Sequence, residues 1–242
     1  MNNVYPDTET YYVTWLGGSC GAFISMCLYN LTTENAEIKL SNFGHAHVNQ
    51  NVLFKNYIAK DQTNVYKTAV PKFKSKPIIL VGHESDIDFD LLFNKFPKCK
   101  LVIISVDDNM ITRLIGNMVY KNWTNEQDHH WSEVRKTHTE LSEYVSPNDV
   151  PPDLIKKFLE KCRKNYKKEP FFFDKTFLPD IHKNSIFYID FYDIIHNMSK
   201  VLAQLSEITN KPVTEFLQQQ ALNYQNKQIE LVNSKMPWLD DK

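Results

Sequence analysis

Short, continuously apolar runs alternate along this chain with segments whose apolar residues return every three or four positions. That alternation predicts buried parallel strands joined by amphipathic helices, an α/β fold with a central parallel sheet flanked by helices. The first unit spans residues 11–31. An aromatic and β-branched run over 11–16 is cut by Gly17, Gly18, Ser19, Cys20 and Gly21, and Phe23, Ile24, Cys27, Leu28 and Leu31 then follow with helical spacing. It reads as strand, tight turn and helix. A second strand is predicted over 78–81, ending at Gly82 and His83. Ser85 and Asp88 then resemble a capping box for a helix carrying Ile87, Leu91, Leu92 and Phe96, which Pro97 stops. Another apolar strand covers 101–106, and the short links between these elements favour parallel pairing through a right-handed crossover.

Beyond it the pattern predicts mostly helices, which places extra helical structure in the C-terminal half. Met110, Ile111, Leu114, Ile115, Met118 and Val119 describe one helix, with Arg113 and Lys121 on its other faces. Further helices are expected over 126–145 and 153–168, a strand over 185–191, a helix capped by Ser199, and a last one capped by Thr214 that runs to about 232. Segment 32–76 is polar and weakly patterned, with short apolar pieces such as 48–54, and reads as a variable excursion or a partner-binding loop.

Composition narrows the picture. At 242 residues without repeats or low-complexity linkers, one domain over 1–242 is expected. The formal net charge of −1 gives no overall attraction for nucleic acid or an anionic membrane, although it permits local patches. Lys156, Lys157, Lys161, Arg163, Lys164, Lys167 and Lys168 form one such basic tract, read either as a solvated helix face or as a contact for an anionic ligand or nucleic acid. No stretch reaches the roughly 20 apolar residues of a membrane helix. The first ten residues carry no leader pattern, so a cytoplasmic chain is expected. Abundant Asn, Lys and Ile fit an AT-rich genome such as a virus, in which case the location is host cytoplasm or virion. The four cysteines lack a C-x-x-C pair and read as reduced thiols.

Three strand ends carry polar chemistry where open α/β sheets bind ligands: the glycine turn, His83 with Glu84, and Asp107 with Asp108. At the turn, glycines let a ligand approach the backbone, and the first N–H groups of the helix lack intrahelical partners. Residues Gly18, Ser19, Cys20, Gly21, Ala22 and Phe23 are therefore a candidate cradle for a phosphate or sulfate. The usual phosphate-loop lysine is missing, and the alternative is that the glycines only permit close helix–sheet packing. His83 is either a general base or a loop hydrogen-bonding group. His45 and His47 read as ordinary polar histidines, and no metal site is expected.

The order of these segments resembles the sulfotransferase family, in three blocks. Gly18-Ser19-Cys20-Gly21-Ala22-Phe23 is similar to that family's 5′-phosphosulfate loop, P-K-S-G-T-T-W. The run KPIILVGHESDIDFDLLFNKFPKCKLVIIS matches its strand ending in K-T-H, a helix, then C-K-x-I-Y-V. SIFYIDFYDIIHNMSKVLAQLSEITNKP looks like its strand, Y-E-D-M turn and helix. The resemblance implies a P-loop-like α/β fold and sulfuryl transfer from 3′-phosphoadenosine 5′-phosphosulfate (PAPS) to a hydroxyl or amine on a small-molecule or glycan acceptor. It puts His83 on the catalytic base and residues 18–23 on the donor. The family's loop lysine falls on Gly18, its 3′-phosphate arginine on Val106 and the paired serine on Leu114; Arg113 is the residue available to replace one of them. These departures leave a second expectation, an inactive sulfotransferase fold serving as a binding or assembly component with protein partners. A third is a nucleotide kinase or NTPase using Asp107 and Asp108 for Mg²⁺.

Overall fold

The computed structural model describes residues 9–33, 53–55, 78–82, 89–121, 129–178 and 180–239. Five strands, β1 (Thr10–Thr14), β2 (Leu53–Lys55), β3 (Ile78–Gly82), β4 (Cys99–Ser105) and β5 (Ile186–Asp190), form one sheet in the order β2-β3-β1-β4-β5. Every pairing is parallel. The expected α/β class, a parallel sheet flanked by helices, is therefore what the chain adopts. All five residues of β1 are buried, as a strand covered on both faces requires.

Alternation along the strands divides the core. Tyr11, Val13 and Trp15 pack with Val102, Ile104 and Ile189 against α1 (Gly21–Thr32), and the same cluster takes in the later helices α7 (Phe191–His196), α8 (Met198–Thr209) and α9 (Glu215–Lys235). On the opposite face Tyr12, Leu101 and Ile103 pack against Leu92, Phe93 and Phe96 of α2 (Phe89–Lys95) and Phe171 and Phe172 of α6 (Pro170–Phe173). A third cluster joins Ile111 and Ile115 of α3 (Ile111–Lys121), Trp131 of α4 (His129–Thr137) and Phe158 and Leu159 of α5 (Pro152–Lys164) to Val232 and Met236 at the end of α9. Those are the additional helices of the C-terminal half.

Several boundaries move from expectation for identifiable reasons. The single helix expected over 126–145 is instead α4 followed by two short 3₁₀ turns. The Trp131 indole N–H donates to the carbonyl of Tyr144 and Arg135 to that of Ser142, which ties the segment after α4 back onto α4 in place of a continuing helix. α5 ends at Lys164, not 168. Asn197, rather than Ser199, precedes α8. The Thr214 cap holds as expected, its hydroxyl accepting from Leu217 N–H at 3.2 Å. Ser85, Asp88, His45 and His47 lie outside the described residues.

Cys20, Cys27 and Cys99 are buried free thiols and Cys162 is half-buried. Burial pushes the Cys27 and Cys99 thiols well up. Among the described residues no helix is long and apolar enough to cross a membrane, and no group of His, Cys, Asp and Glu could hold a metal ion.

Candidate functional site: the glycine turn after the central strand

The connection leaving β1 leads to β2 on one side of it, whereas those leaving β3 and β4 lead the other way. The strand order thus reverses beside β1, and the crevice at such a reversal is where ligands bind in open parallel sheets. The glycine turn and the start of α1 occupy that place.

The turn is built from its own backbone. Ser19 N–H donates to the Leu16 carbonyl at 3.1 Å and the Ser19 hydroxyl to the same oxygen at 2.7 Å. Gly18 lies at φ +85, and a Cβ there would stand 2.5 Å from the Leu114 carbonyl oxygen, so the position accepts only glycine. Its own carbonyl accepts from the Asn117 side-chain amide at 3.0 Å. Two α3 contacts therefore floor the turn. On the other side, a Cβ on Gly21 would fall within 1.8 Å of the Trp15 ring, which lies along the first turn of α1. Ser19 and Cys20 are 0% and 2% exposed. Leu16, Gly17, Gly18 and Ala22 keep partial exposure.

Cys20, the residue before α1, is left-handed at φ 69, which costs an L-residue about 1–2 kcal/mol. Its carbonyl accepts from Phe23 and Ile24 N–H. The N–H groups of Cys20, Gly21 and Ala22 have no main-chain acceptor among the described residues. They are the amides that could meet an anion. Phe23, expected in the cradle, is instead a core residue, 1% exposed with its ring stacked on Tyr224 of α9 at 4.1 Å.

Arg113 was expected on an outer face of its helix. It is fully buried, because α9 returns across that face, and its guanidinium donates to the Gln228 carbonyl of α9 at 2.5 Å. Tyr224 lies within reach of this cation's charge and shares a hydrogen bond with the Cys20 thiol. Burial raises the Tyr224 hydroxyl's pKa, Cys20 and Cys27 add to the rise, and Arg113 pulls it down. Arg113, Tyr224 and Cys20 are thus neighbours behind the turn. Among the named candidates, the structure brings residues 18–23 and Arg113 into one packed unit; His83 and Glu84 lie outside the described residues.

A second polar group sits at the carboxyl ends of β4 and β5. Ser105 donates to Asp190 at 2.5 Å and Lys175 to the same carboxylate oxygen at 2.6 Å. Burial pushes the Asp190 pKa up, but the bonds from Lys175 and Ser105 outweigh it, and the carboxyl sits below its ordinary value. Asp193 pairs with Lys200 at 2.7 Å and raises that ammonium's pKa. Asp107 and Asp108 are exposed, and Asp108 is paired with Lys168. Val106 and Leu114 are buried; Val106 N–H donates to the Phe172 carbonyl. Sequence reasoning missed Asn117, Tyr224, Ser105 and Asp190. Asp190 carried a readable signal, since it is the one carboxylate at the end of a predicted strand not counted with the other three strand ends. No protein-family model matches this chain, and no curated protein matches it.

Proposed function

We propose that this chain is a divergent sulfotransferase-like protein that retains an α/β scaffold and acts as a binding or assembly component, without transferring a sulfuryl group from PAPS. The observation that carries the proposal is the state of its cation: Arg113 is fully buried and hydrogen-bonded to the Gln228 carbonyl, and no basic residue stands in the turn. Gly18, at the position of the family's lysine, cannot even carry a methyl group. The N–H groups at Cys20, Gly21 and Ala22 could each give an oxyanion a bond of about 1.5–3 kcal/mol, but the donor's several negative charges would find no side-chain cation in the turn to neutralise them. At the ends of β4 and β5 a 3′-phosphate would meet Asp107, Asp108 and Asp190, and would have to compete with the last two for Lys168 and Lys175. Among the described residues, the cations nearest these two places are already engaged, Arg113 on Gln228, Lys168 on Asp108 and Lys175 on Asp190, which supports the reading that PAPS is not the ligand.

The test is a thermal-shift titration with the desulfated nucleotide, alongside a transfer assay with hydroxyl and amine acceptors. A ligand at about 100 times its Kd adds ~2.7 kcal/mol to stability. For a chain of this size that is a rise of roughly 5–10 °C in Tm. The proposal expects no rise and no transfer. A rise of that size, or transfer lost in His83→Ala, would establish the enzyme reading instead. One observation favours that second reading: the amides of Cys20, Gly21 and Ala22, at the carboxyl end of the central strand, have no main-chain acceptor among the described residues.

A further inference from the structure

We infer that the tract 156–168, comprising most of α5 and its exit, is a docking surface for the phosphate backbone of a nucleic acid; the inference rests on the binding role just proposed and names the partner's class. Seven of the chain's 28 lysines and arginines fall in these 13 residues. Lys161 pairs with Glu140 and Lys168 with Asp108. Lys156, Lys157, Arg163, Lys164 and Lys167 are all exposed, and none makes an ion pair among the described residues. Asp153 and Glu160, the acidic residues of the same helix, are outnumbered. The chain-wide charge of −1, which argues against nucleic acid, averages over this separation.

The arrangement is suited to a repeating anion. Lys156 and Arg163 are seven residues apart, as are Lys157 and Lys164, so each pair is separated by about 10.5 Å along the helix and the two pairs form parallel rows. Successive phosphates of one strand follow at about 3.4 Å along a duplex axis, so each row spans roughly three of them. Cations in the last turn also complement the helix dipole, which accounts for Arg163 and Lys164. It accounts for neither Lys156 and Lys157, nearer the start, nor Lys167, beyond the end.

A bilayer is the poorer occupant. A helix lying on a membrane buries its apolar face among the acyl chains. Here that face is already used: Ile155, Phe158 and Leu159 are buried in the third cluster against Ile111, Trp131 and Leu141. Only the charged face is presented. Lys168, held on Asp108 just past β4, carries the tract to the carboxyl edge of the sheet, so a strand following the lysines is led toward the glycine turn's side of the molecule.

Fluorescence anisotropy of the full chain with labelled oligo(dT) and with a short duplex, over a series of KCl concentrations, tests this. Binding is expected at low salt, with log K falling linearly against log[KCl] by about 0.7 per phosphate contacted on the single strand. The combined variant Lys156→Glu, Lys157→Glu, Arg163→Glu and Lys164→Glu should bind at least about tenfold more weakly, since each lost phosphate contact removes part of that term. The four Gln replacements should bind with intermediate affinity and a shallower slope, which separates loss of charge from loss of folding. Lys211→Glu and Lys227→Glu should leave affinity unchanged. The inference is overturned by absence of binding at low salt, by wild-type affinity in the Glu variant, or by capture on phosphatidylserine vesicles where neither oligonucleotide binds. Failure here leaves the proposed lack of sulfuryl transfer standing, whereas a nucleotide-induced Tm rise would remove that reading and leave this one.

Discussion

Gly18→Ala is the substitution that most directly examines how the turn is held. Two costs arise together. The residue must keep φ +85, which an L-residue adopts at about 1–2 kcal/mol. Its methyl carbon must also fit 2.5 Å from the Leu114 carbonyl oxygen and 3.0 Å from Met118 Cγ. The first neighbour is helix backbone and cannot rotate away, so α3 must shift, at a cost typical of overpacking, about 1–3 kcal/mol. The sum, about 2–5 kcal/mol, corresponds to a fall in Tm of roughly 5–20 °C for a chain of this size. Gly17→Ala is the internal control. Gly17 has no positive φ, and its Cβ would lie 3.4 Å from the mobile end of Met118, an ordinary contact, so a change within about 0.5 kcal/mol is expected. Urea unfolding monitored by tryptophan fluorescence measures both, with the m-value confirming that the unfolded states are comparable. If Gly18→Ala proves as mild as Gly17→Ala, α3 does not form the floor of the turn, and the case against an open anion site loses its geometric basis.

Two further outcomes concern side chains away from the turn. Because Lys175 and Ser105 hold the Asp190 carboxyl below its ordinary value, its contribution to stability is present above the unfolded pKa, near 4, and is lost as pH falls through the lower folded value; Asp190→Asn should therefore flatten the acid limb of a stability-against-pH curve while mattering less to its shape at neutral pH. An unchanged acid limb would mean that the carboxylate is not held there. Thr214→Ala removes the hydroxyl that accepts from Leu217 N–H and should cost about 1 kcal/mol in denaturant unfolding, with Thr214→Ser restoring most of it.

The strands most legible in the sequence were those the fold buries on both faces. β1 and β4 announced themselves as apolar runs because no solvent face imposes alternation on them, whereas the edge strand β5 is half-buried at every position but Ile189. β2 is three residues long and pairs only with β3 at the sheet edge, so its segment carried too little apolar sequence to separate it from a polar excursion. The glycine turn was legible as strand, break and helix, but not the direction in which it packs. That direction depends on α3 and on Trp15, and no local pattern encodes which helix will approach. Arg113 shows the same limit. Periodicity along α3 identifies the face that meets its first partner; α9, more than 100 residues later, covers the face on which the arginine lies. Asn117 and Tyr224 belong to the same long-range contact and left no local trace.

The centre of the sheet is also the part of the sheet made first. Thr10 opposes Ile78 on one side and Cys99 on the other, and Leu101 opposes Ile186, so each ladder of the central strands closes over a long stretch of intervening chain. Such distant pairings make folding slow, because loop closure comes before its reward. On the ribosome, β1 waits with both hydrogen-bonding edges open until β3 and β4 have emerged. An apolar strand in that condition is a template for other chains. Yield in recombinant production should therefore depend more on chaperone supply and growth temperature than on the stability of the finished protein.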